Sequence, residues 1–409
     1  MSIPSATPAR LSAGRVDSVR YEPRLRDYAH GAPGLNQRLM EDSIAFVLAK
    51  IDQNLELFVD RYPAPSSVAG RYEPIDNIEW TNGFWTGLLW LAFEVTGAQR
   101  YRDVALGHLA SYRCRVRERI NVDHHDLGFL YTLSCVSGYK LLGDESAKQT
   151  ALEAAELLLK RYLPTAGIIQ AWGDLADPAQ QGRMIIDCNL NLPLLYWASE
   201  VSFEARFADA ASSHLVRAAH LLVRPDASTF HTFYLDPTTG APLYGKTHQG
   251  YSDQSSWARG QAWSIYGFAL GYRHTRDEQL LRLTKRLANF FLNRLPEDGV
   301  CYWDLHFTSG NEPRDSSAAA IAACGLLELA AHLPTSDADR RSYETAASLI
   351  VRELSLRYRT GAGPTENGVL KHAVYHMPNK VGVDESCIWG DYFYLEALVR
   401  LSRCWNPYW

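Results

Sequence analysis

Tyr251-Ser252-Asp253-Gln254-Ser255-Ser256-Trp257-Ala258-Arg259-Gly260-Gln261-Ala262-Trp263 runs without a break into Ser264-Ile265-Tyr266-Gly267-Phe268-Ala269-Leu270-Gly271-Tyr272. A polar and aromatic opening followed by an apolar run predicts a helix to about residue 275, with Trp257, Arg259 and Trp263 in its first turns. A helix apolar on every side must be buried on every side, whereas the amphipathic segment that follows, about 277–294, covers it from outside. Two tryptophans bracketing an arginine also suit a sugar that carries a carboxylate, with indoles on the ring and a guanidinium on the acid. The plainer alternative is a core helix capped by Ser255 or Ser256, its arginine reaching a structural carboxylate.

The same pairing recurs outward from this stretch. Residues 36–59 carry helical periodicity (Leu39, Ile44, Leu48, Ile51, Leu55, Phe58). Glu79 to Phe93 is apolar nearly all round and stops at Gly97, with an amphipathic partner at about 99–118. His124-His125-Asp126-Leu127-Gly128-Phe129 opens an apolar helix to Leu142, and its partner spans about 144–161. Asp187-Cys188-Asn189-Leu190-Asn191-Leu192 opens the next, ending near Val201, with a partner at about 204–223. Asp315-Ser316-Ser317 opens another, with a partner at about 336–357, and the last begins near Ile388 and ends around Leu401. Six apolar and six amphipathic helices predict an all-α ring of six inner helices within six outer ones. Short outer-to-inner links make the inner helices parallel, so their N-termini and the polar clusters on them gather at one end. One segment departs: Thr229 to Leu235 alternates and meets Asp236-Pro237-Thr238-Thr239-Gly240, which predicts a small β-hairpin near 229–245 and a rim loop at Thr247-His248-Gln249-Gly250.

Composition bounds the function. The chain has 409 residues and a net charge of −5, so no basic excess draws it to nucleic acid or anionic lipid. Seven cysteines, none in a C-x-x-C pair, read as small core residues of a reducing, cytoplasmic compartment. No apolar run reaches membrane-spanning length. The first thirty residues hold five arginines and no apolar signal core, which predicts a flexible arm over 1–35 before a single domain over 36–409.

Two carboxylates carry the chemistry. Asp126 and Asp187 open consecutive inner helices, which places both in one funnel, the usual equipment for general acid/base work on glycosides. Met184-Ile185-Ile186 precedes Asp187 and is expected to desolvate it and raise its pKa. Asp126, after His124 and His125, is placed to receive helix-terminal N–H groups that favour the anion. The plain alternative is that both merely cap helices. His124, His125, His231 and His248 lack the spacing of a metal site, so no metal is expected. Nucleophile elbows and phosphate loops are missing from the sequence.

Five ordered motifs resemble the unsaturated glucuronyl hydrolases, glycoside hydrolase family 88. They are Trp80-Thr81-Asn82-Gly83-Phe84-Trp85, His125-Asp126-Leu127-Gly128-Phe129, Gly182-Arg183-Met184-Ile185-Ile186-Asp187, Ser255 to Trp263, and Gly382-Val383-Asp384-Glu385 with Ile388-Trp389-Gly390-Asp391-Tyr392-Phe393. The likeness spans about residues 36–404 and implies an (α/α)6 barrel. It implies hydration of the C4=C5 vinyl ether of a 4,5-unsaturated uronic acid at the non-reducing end of lyase-made oligosaccharides. Asp187 would be general acid/base and Asp126 its support, with no cofactor. Trp80, Phe84, Trp172, Trp257 and Trp263 would form aromatic walls; His125, His231, His248, Gln249 and Arg259 would hold substrate. The loop Tyr375 to Val381 keeps a lysine, Lys380, but lacks the serines of members that favour sulphated fragments, which points to unsulphated chondroitin, hyaluronan, or bacterial heteropolysaccharide fragments of gellan or xanthan type. The partner expected is an unsaturated oligosaccharide, and the protein a monomer or weak homodimer. A rhamnogalacturonyl hydrolase, a sugar epimerase of the same fold and a non-catalytic carbohydrate binder are the alternatives.

Overall fold

The computed structural model describes residues 34–409, so the expected arm over 1–35 lies almost wholly outside the described residues. Twelve helices alternate as anticipated. They are α1 (Gln37–Asn54), α2 (Asn82–Thr96), α3 (Gln99–Arg117), α4 (Leu127–Tyr131, a π-helical turn at Thr132–Val136, then Ser137–Leu142) and α5 (Glu145–Leu159). There follow α6 (Pro193–Ser202), α7 (Ala205–Leu221), α8 (Ala258–Thr275), α9 (Glu278–Leu292), α10 (Ser316–His332), α11 (Ala338–Arg357) and α12 (Ile388–Ser402).

Burial separates the two sets. In α8 every residue from Ala258 to Tyr272 is buried. In α7 only one face is: Phe207, Ala210, Ala211, His214, Leu215, Ala218 and Ala219. The even-numbered helices form a closed ring, α2 on α4, α4 on α6, α6 and its leading turn on α8, α8 on α10, α10 on α12, and α12 back on α2. The result is an (α/α)6 barrel.

The two ends of the barrel differ. Each of the first four inner helices is joined to its outer partner by a two-residue link, such as Gly97–Ala98 and Gly143–Asp144. Asp144 and Asp277 cap the outer helices that follow, accepting from Ala147 N and Gln279 N. The short links therefore run inner to outer, not outer to inner. Every return connection is long, and all the strands lie in these connections. The hairpin expected near 229–245 is present, β6 (Thr232–Leu235) against β7 (Pro242–Lys246), but a third strand, β5 (Arg183–Ile185), joins β6. Three further pairs were not anticipated: β1 (Tyr62–Pro63) with β2 (Pro74–Ile75), β3 (Tyr162–Leu163) with β4 (Ile168–Ile169), and β8 (Ala373–His376) with β9 (Val381–Glu385). Strands of two to five residues are too short to show a period of two. No helix of the described residues is long and apolar enough to cross a membrane.

Glycines set how closely the ring can shut. A Cβ on Gly83 of α2 would lie 2.1 Å from the Phe129 carbonyl oxygen, so α2 meets the first turn of α4 backbone to backbone. Gly107 of α3 faces open space. Gly83→Ala is therefore expected to cost about 1–3 kcal/mol, because backbone cannot swing aside. Gly107→Ala is expected to gain about 0.5–1 kcal/mol from helix propensity. Thermal unfolding of the two variants should move Tm in opposite directions; a fall for both would refute the ring-contact account.

Candidate active site

The long loops deliver two carboxylates to one point. β5 leads into a 3-10 turn, Ile186–Leu190, which carries Asp187; α6 itself begins only at Pro193. Asp126 immediately precedes α4 and stands at its N-cap position, yet its side chain makes no capping hydrogen bond. Asp144, Asp277, Asp315 and Asp337 do cap their helices. Capping is thus not the work of Asp126. One of the helix-terminal N–H groups expected to hold its anion is bound elsewhere: Phe129 N donates to Asn191 Oδ1 at 2.8 Å.

His125 stands between the carboxylates, its Nε2 3.3 Å from Asp126 Oδ1 and 3.4 Å from Asp187 Oδ1. Asp187 Oδ1 and His125 Nδ1 are both buried without a hydrogen-bond partner. Met184 and Ile186 are fully buried beside Asp187, as the apolar run predicted. Burial pushes the Asp187 carboxyl well above the usual carboxylate range, and the negative charge of Asp126 adds to the rise; Arg259 opposes it. Burial also works against the Asp126 anion, but His125, His124 and the Asn191 amide outweigh it and leave its pKa lowered. Burial holds His125 down at about 4, so the imidazole is neutral at neutral pH. The surroundings therefore push the two carboxyls apart, Asp187 toward its neutral form and Asp126 toward its anion, the split that acid/base chemistry needs.

The expected walls are only partly at the surface. Trp80 is half-buried, stacks on Trp389 at 5.3 Å, and donates from Nε1 to Tyr375 Oη at 3.2 Å. Phe84 and Trp263 are 0% and 1% exposed, so they are corrected from substrate wall to support. Their helices enter the ring at these positions, and both rings back onto Phe129, which in turn backs Trp80. Trp257 is nearly buried between His231 at 4.4 Å and the Arg259 guanidinium at 4.3 Å. Trp172 is half-buried and meets the exposed His248 at 5.4 Å.

Arg259 is 1% exposed and its Nη donors are engaged. Nη1 donates to Asp315 Oδ2 (3.3 Å) and Val374 O (2.5 Å). Nη2 donates to Gln249 Oε1 (2.6 Å) and Tyr375 O (2.8 Å). The structural carboxylate of the plainer reading exists, and it is Asp315. Arg259 thus ties the rim loop, the β8–β9 hairpin and the start of α10 together, in place of standing free to fork a substrate acid. His231 Nδ1 accepts from His248 N (3.0 Å) and Gln249 N (3.3 Å), which leaves the proton on Nε2. Among the described residues, His125, Asp126 and Asp187 are the one group whose donor atoms, all within 4.8 Å, could hold a metal ion. A divalent cation there would keep both carboxyls ionised, against the upward pull of burial on the Asp187 pKa.

Three contributors escaped the sequence reading: Asn191, Tyr375 and Asp315. Asn191 accepts from Phe129 N and places Nδ2 3.5 Å from both Asp126 Oδ1 and the Asp187 carbonyl oxygen. Its one signal was a polar residue recurring four positions after Asp187. Asn191→Ala is expected to destabilise the fold by about 1–3 kcal/mol, since the Phe129 amide is left unpaired. It should also raise the Asp126 pKa, read as an acid-side titration moved to higher pH; an unchanged titration would show that Asn191 is only structural.

Comparison with known proteins accords with this geometry. The profile of Glycosyl Hydrolase Family 88 matches residues 50–274. An unsaturated chondroitin disaccharide hydrolase of Streptococcus pneumoniae is 46% identical over 378 residues, 92% of this chain and 95% of that protein. The crystal structure of unsaturated glucuronyl hydrolase from Streptococcus agalactiae superposes with a TM-score of 0.93 at 43% identity, over 98% of this chain and 100% of that one. An aspartate-to-asparagine variant of the Streptococcus agalactiae enzyme, complexed with dGlcA-GalNAc6S, matches with a TM-score of 0.85 at 40% identity, over 99% and 100%. A barrel of this connectivity, with paired carboxylates at its looped end and relatives of this likeness over nearly its whole length, belongs to glycoside hydrolase family 88.

Proposed function

We propose that this glycosidase releases the 4,5-unsaturated uronic acid from the non-reducing end of chondroitin-type disaccharides by hydrating the C4=C5 vinyl ether. The observation that carries the reading is the split carboxyl pair, Asp187 raised by burial beside a lowered Asp126, with His125 between them. Protonated Asp187 gives its proton to C4, and positive charge builds at C5 and the ring oxygen. Asp126, still ionised, stabilises that charge. The Asp187 carboxylate then takes a proton from the water that bonds to C5. The hemiketal so formed opens to a C5 ketone, and the hemiacetal left at C1 expels the next sugar as an alcohol. His231, a neutral Nε2–H donor, with His248, Gln249, Trp80, Trp172 and Trp257, would hold the sugar. Relatives named for glucuronyl and chondroitin substrates do not favour the rhamnogalacturonyl or epimerase alternatives.

Ultraviolet absorbance of the double bond should fall on incubation with unsaturated chondroitin disaccharide, run beside its 6-sulphated form and a rhamnogalacturonan product. The missing loop serines predict faster turnover of the unsulphated form. Loss of absorbance with the pectin product alone would overturn the assignment. Asp187→Asn should lower kcat roughly 100- to 10,000-fold while substrate still binds. Turnover should persist in EDTA; a loss restored by a divalent ion would make His125, Asp126 and Asp187 ligands.

The pH dependence follows from the two shifts. The acid must be protonated, so activity is lost as pH rises through the raised Asp187 pKa. The supporting anion must be charged, so activity is also lost as pH falls through the lowered Asp126 pKa. Asp126→Asn removes the neighbouring negative charge, lets Asp187 ionise at lower pH, and should move the alkaline limb of the residual activity toward acid. An unmoved limb would break the assignment. The unpaired cysteines (Cys135, Cys188, Cys301, Cys324 and Cys387 buried, Cys114 and Cys404 exposed) support a reducing, cytoplasmic setting, and the bacterial relatives support a bacterial source. A monomer or weak homodimer is the assembly we infer, and sedimentation would read it.

A further inference from the structure

The three-stranded sheet at the rim has two unlike faces. Cross-strand register aligns Met184 with Phe233 and Gly245, and Met184 and Phe233 are buried. The adjacent rows alternate to the opposite face: Arg183 with Tyr234 and Tyr244, and Ile185 with Thr232 and Lys246. On that face Tyr234 and Tyr244 stack at 4.8 Å, and Tyr244 is 54% exposed. Lys246 is exposed, and neither it nor Arg183 has an ion-pair partner among the described residues.

This face continues the candidate site without a gap. Tyr234 Oη lies 3.1 Å from His248 Nε2, Trp172 meets both His248 and Tyr234, and the Arg183 guanidinium lies over the Trp172 ring at 5.4 Å. A sugar leaving the outer wall at Trp172 and His248 would pass directly onto the tyrosines. The exposed Tyr244 ring, backed by Tyr234, offers apolar surface to a sugar, and two cations without ion-pair partners on a chain of net charge −5 mark a local preference for anions.

We propose that this outer face of β5–β6–β7 is a further subsite for an acidic oligosaccharide. It takes the two sugars beyond the disaccharide at the carboxylates, so the protein binds unsaturated tetrasaccharides more tightly than disaccharides. The proposal rests on the glycosidase reading above. Tyr244 and Lys246 touch neither carboxylate and serve as probes.

Steady-state kinetics of the full chain with unsaturated chondroitin disaccharide and tetrasaccharide test it. Tyr244→Ala and Lys246→Ala together should raise KM for the tetrasaccharide about fivefold and leave the disaccharide unchanged. No change for either substrate, or an equal change for both, would overturn the subsite. If the unaltered enzyme turns over neither substrate, it is the glycosidase reading that fails. Titration calorimetry with saturated chondroitin tetrasaccharide then still decides the face. Tighter binding than the disaccharide, lost in the double variant, supports it; equal affinities sink it.

Discussion

The backbone of Asn191 occupies the place where a side chain at position 128 would go. A Cβ on Gly128 would lie 2.3 Å from Asn191 Cα and 2.5 Å from its carbonyl oxygen. Only glycine permits this approach, and the approach presses the first turn of α4 against the end of the turn that carries Asp187. The Asn191 amide then spans the seam, accepting from Phe129 N and reaching Asp126 and the Asp187 carbonyl. The distance between the two carboxylates is therefore set by backbone contact, which cannot relax as a side chain can. Similar close approaches join α2 to α4 at Gly83, α8 to α10 at Gly325, and α10 to α12 at Gly390.

Around that seam the polar groups divide into satisfied and withheld. Arg259, buried in the wall, would be a severe liability without partners, and it has four: Asp315, Gln249 and two backbone carbonyls. Deeper in the barrel, Arg400 pairs with Glu328 and Glu396, and Trp409 Nε1 donates to Glu396. Asp187 is treated differently. Its Oδ1 is buried without a hydrogen bond, with His125 Nε2 at 3.4 Å and the Asp126 carboxylate close enough to add to its pKa. A buried carboxylate oxygen left without a hydrogen bond beside a second carboxylate is the environment in which perturbed, reactive groups are found.

The helical ring was legible because burial leaves a period. Residues such as Phe207, Ala210, Ala211, His214 and Leu215 repeat at helical spacing, and α8 shows none because all its sides are covered. Asp126 could be placed because it stands just before an inner helix; Asp187 stands on the 3-10 turn that leads to one, near enough for the same reading to bring it to that end. Asn191 could not, since nothing in its own neighbourhood says that Gly128 lies against it. The short strands were equally hidden: β8 and β9 take their place from pairing with each other and from the Arg259 bonds to Val374 and Tyr375, not from local pattern.

The amino-acid order by itself determined the alternation of covered and half-covered helices, the end at which polar residues collect, and which two carboxylates would meet there. These follow from spacing, which any reader of the chain can count. Tertiary structure alone decided that Phe84 and Trp263 support the wall instead of forming it, that Arg259 is spent on holding loops together, and that burial favours the neutral form of Asp187 while the neighbours of Asp126 favour its anion. Those outcomes depend on which groups from distant segments come within a few ångströms, and proton affinity responds to that environment more than to sequence neighbours.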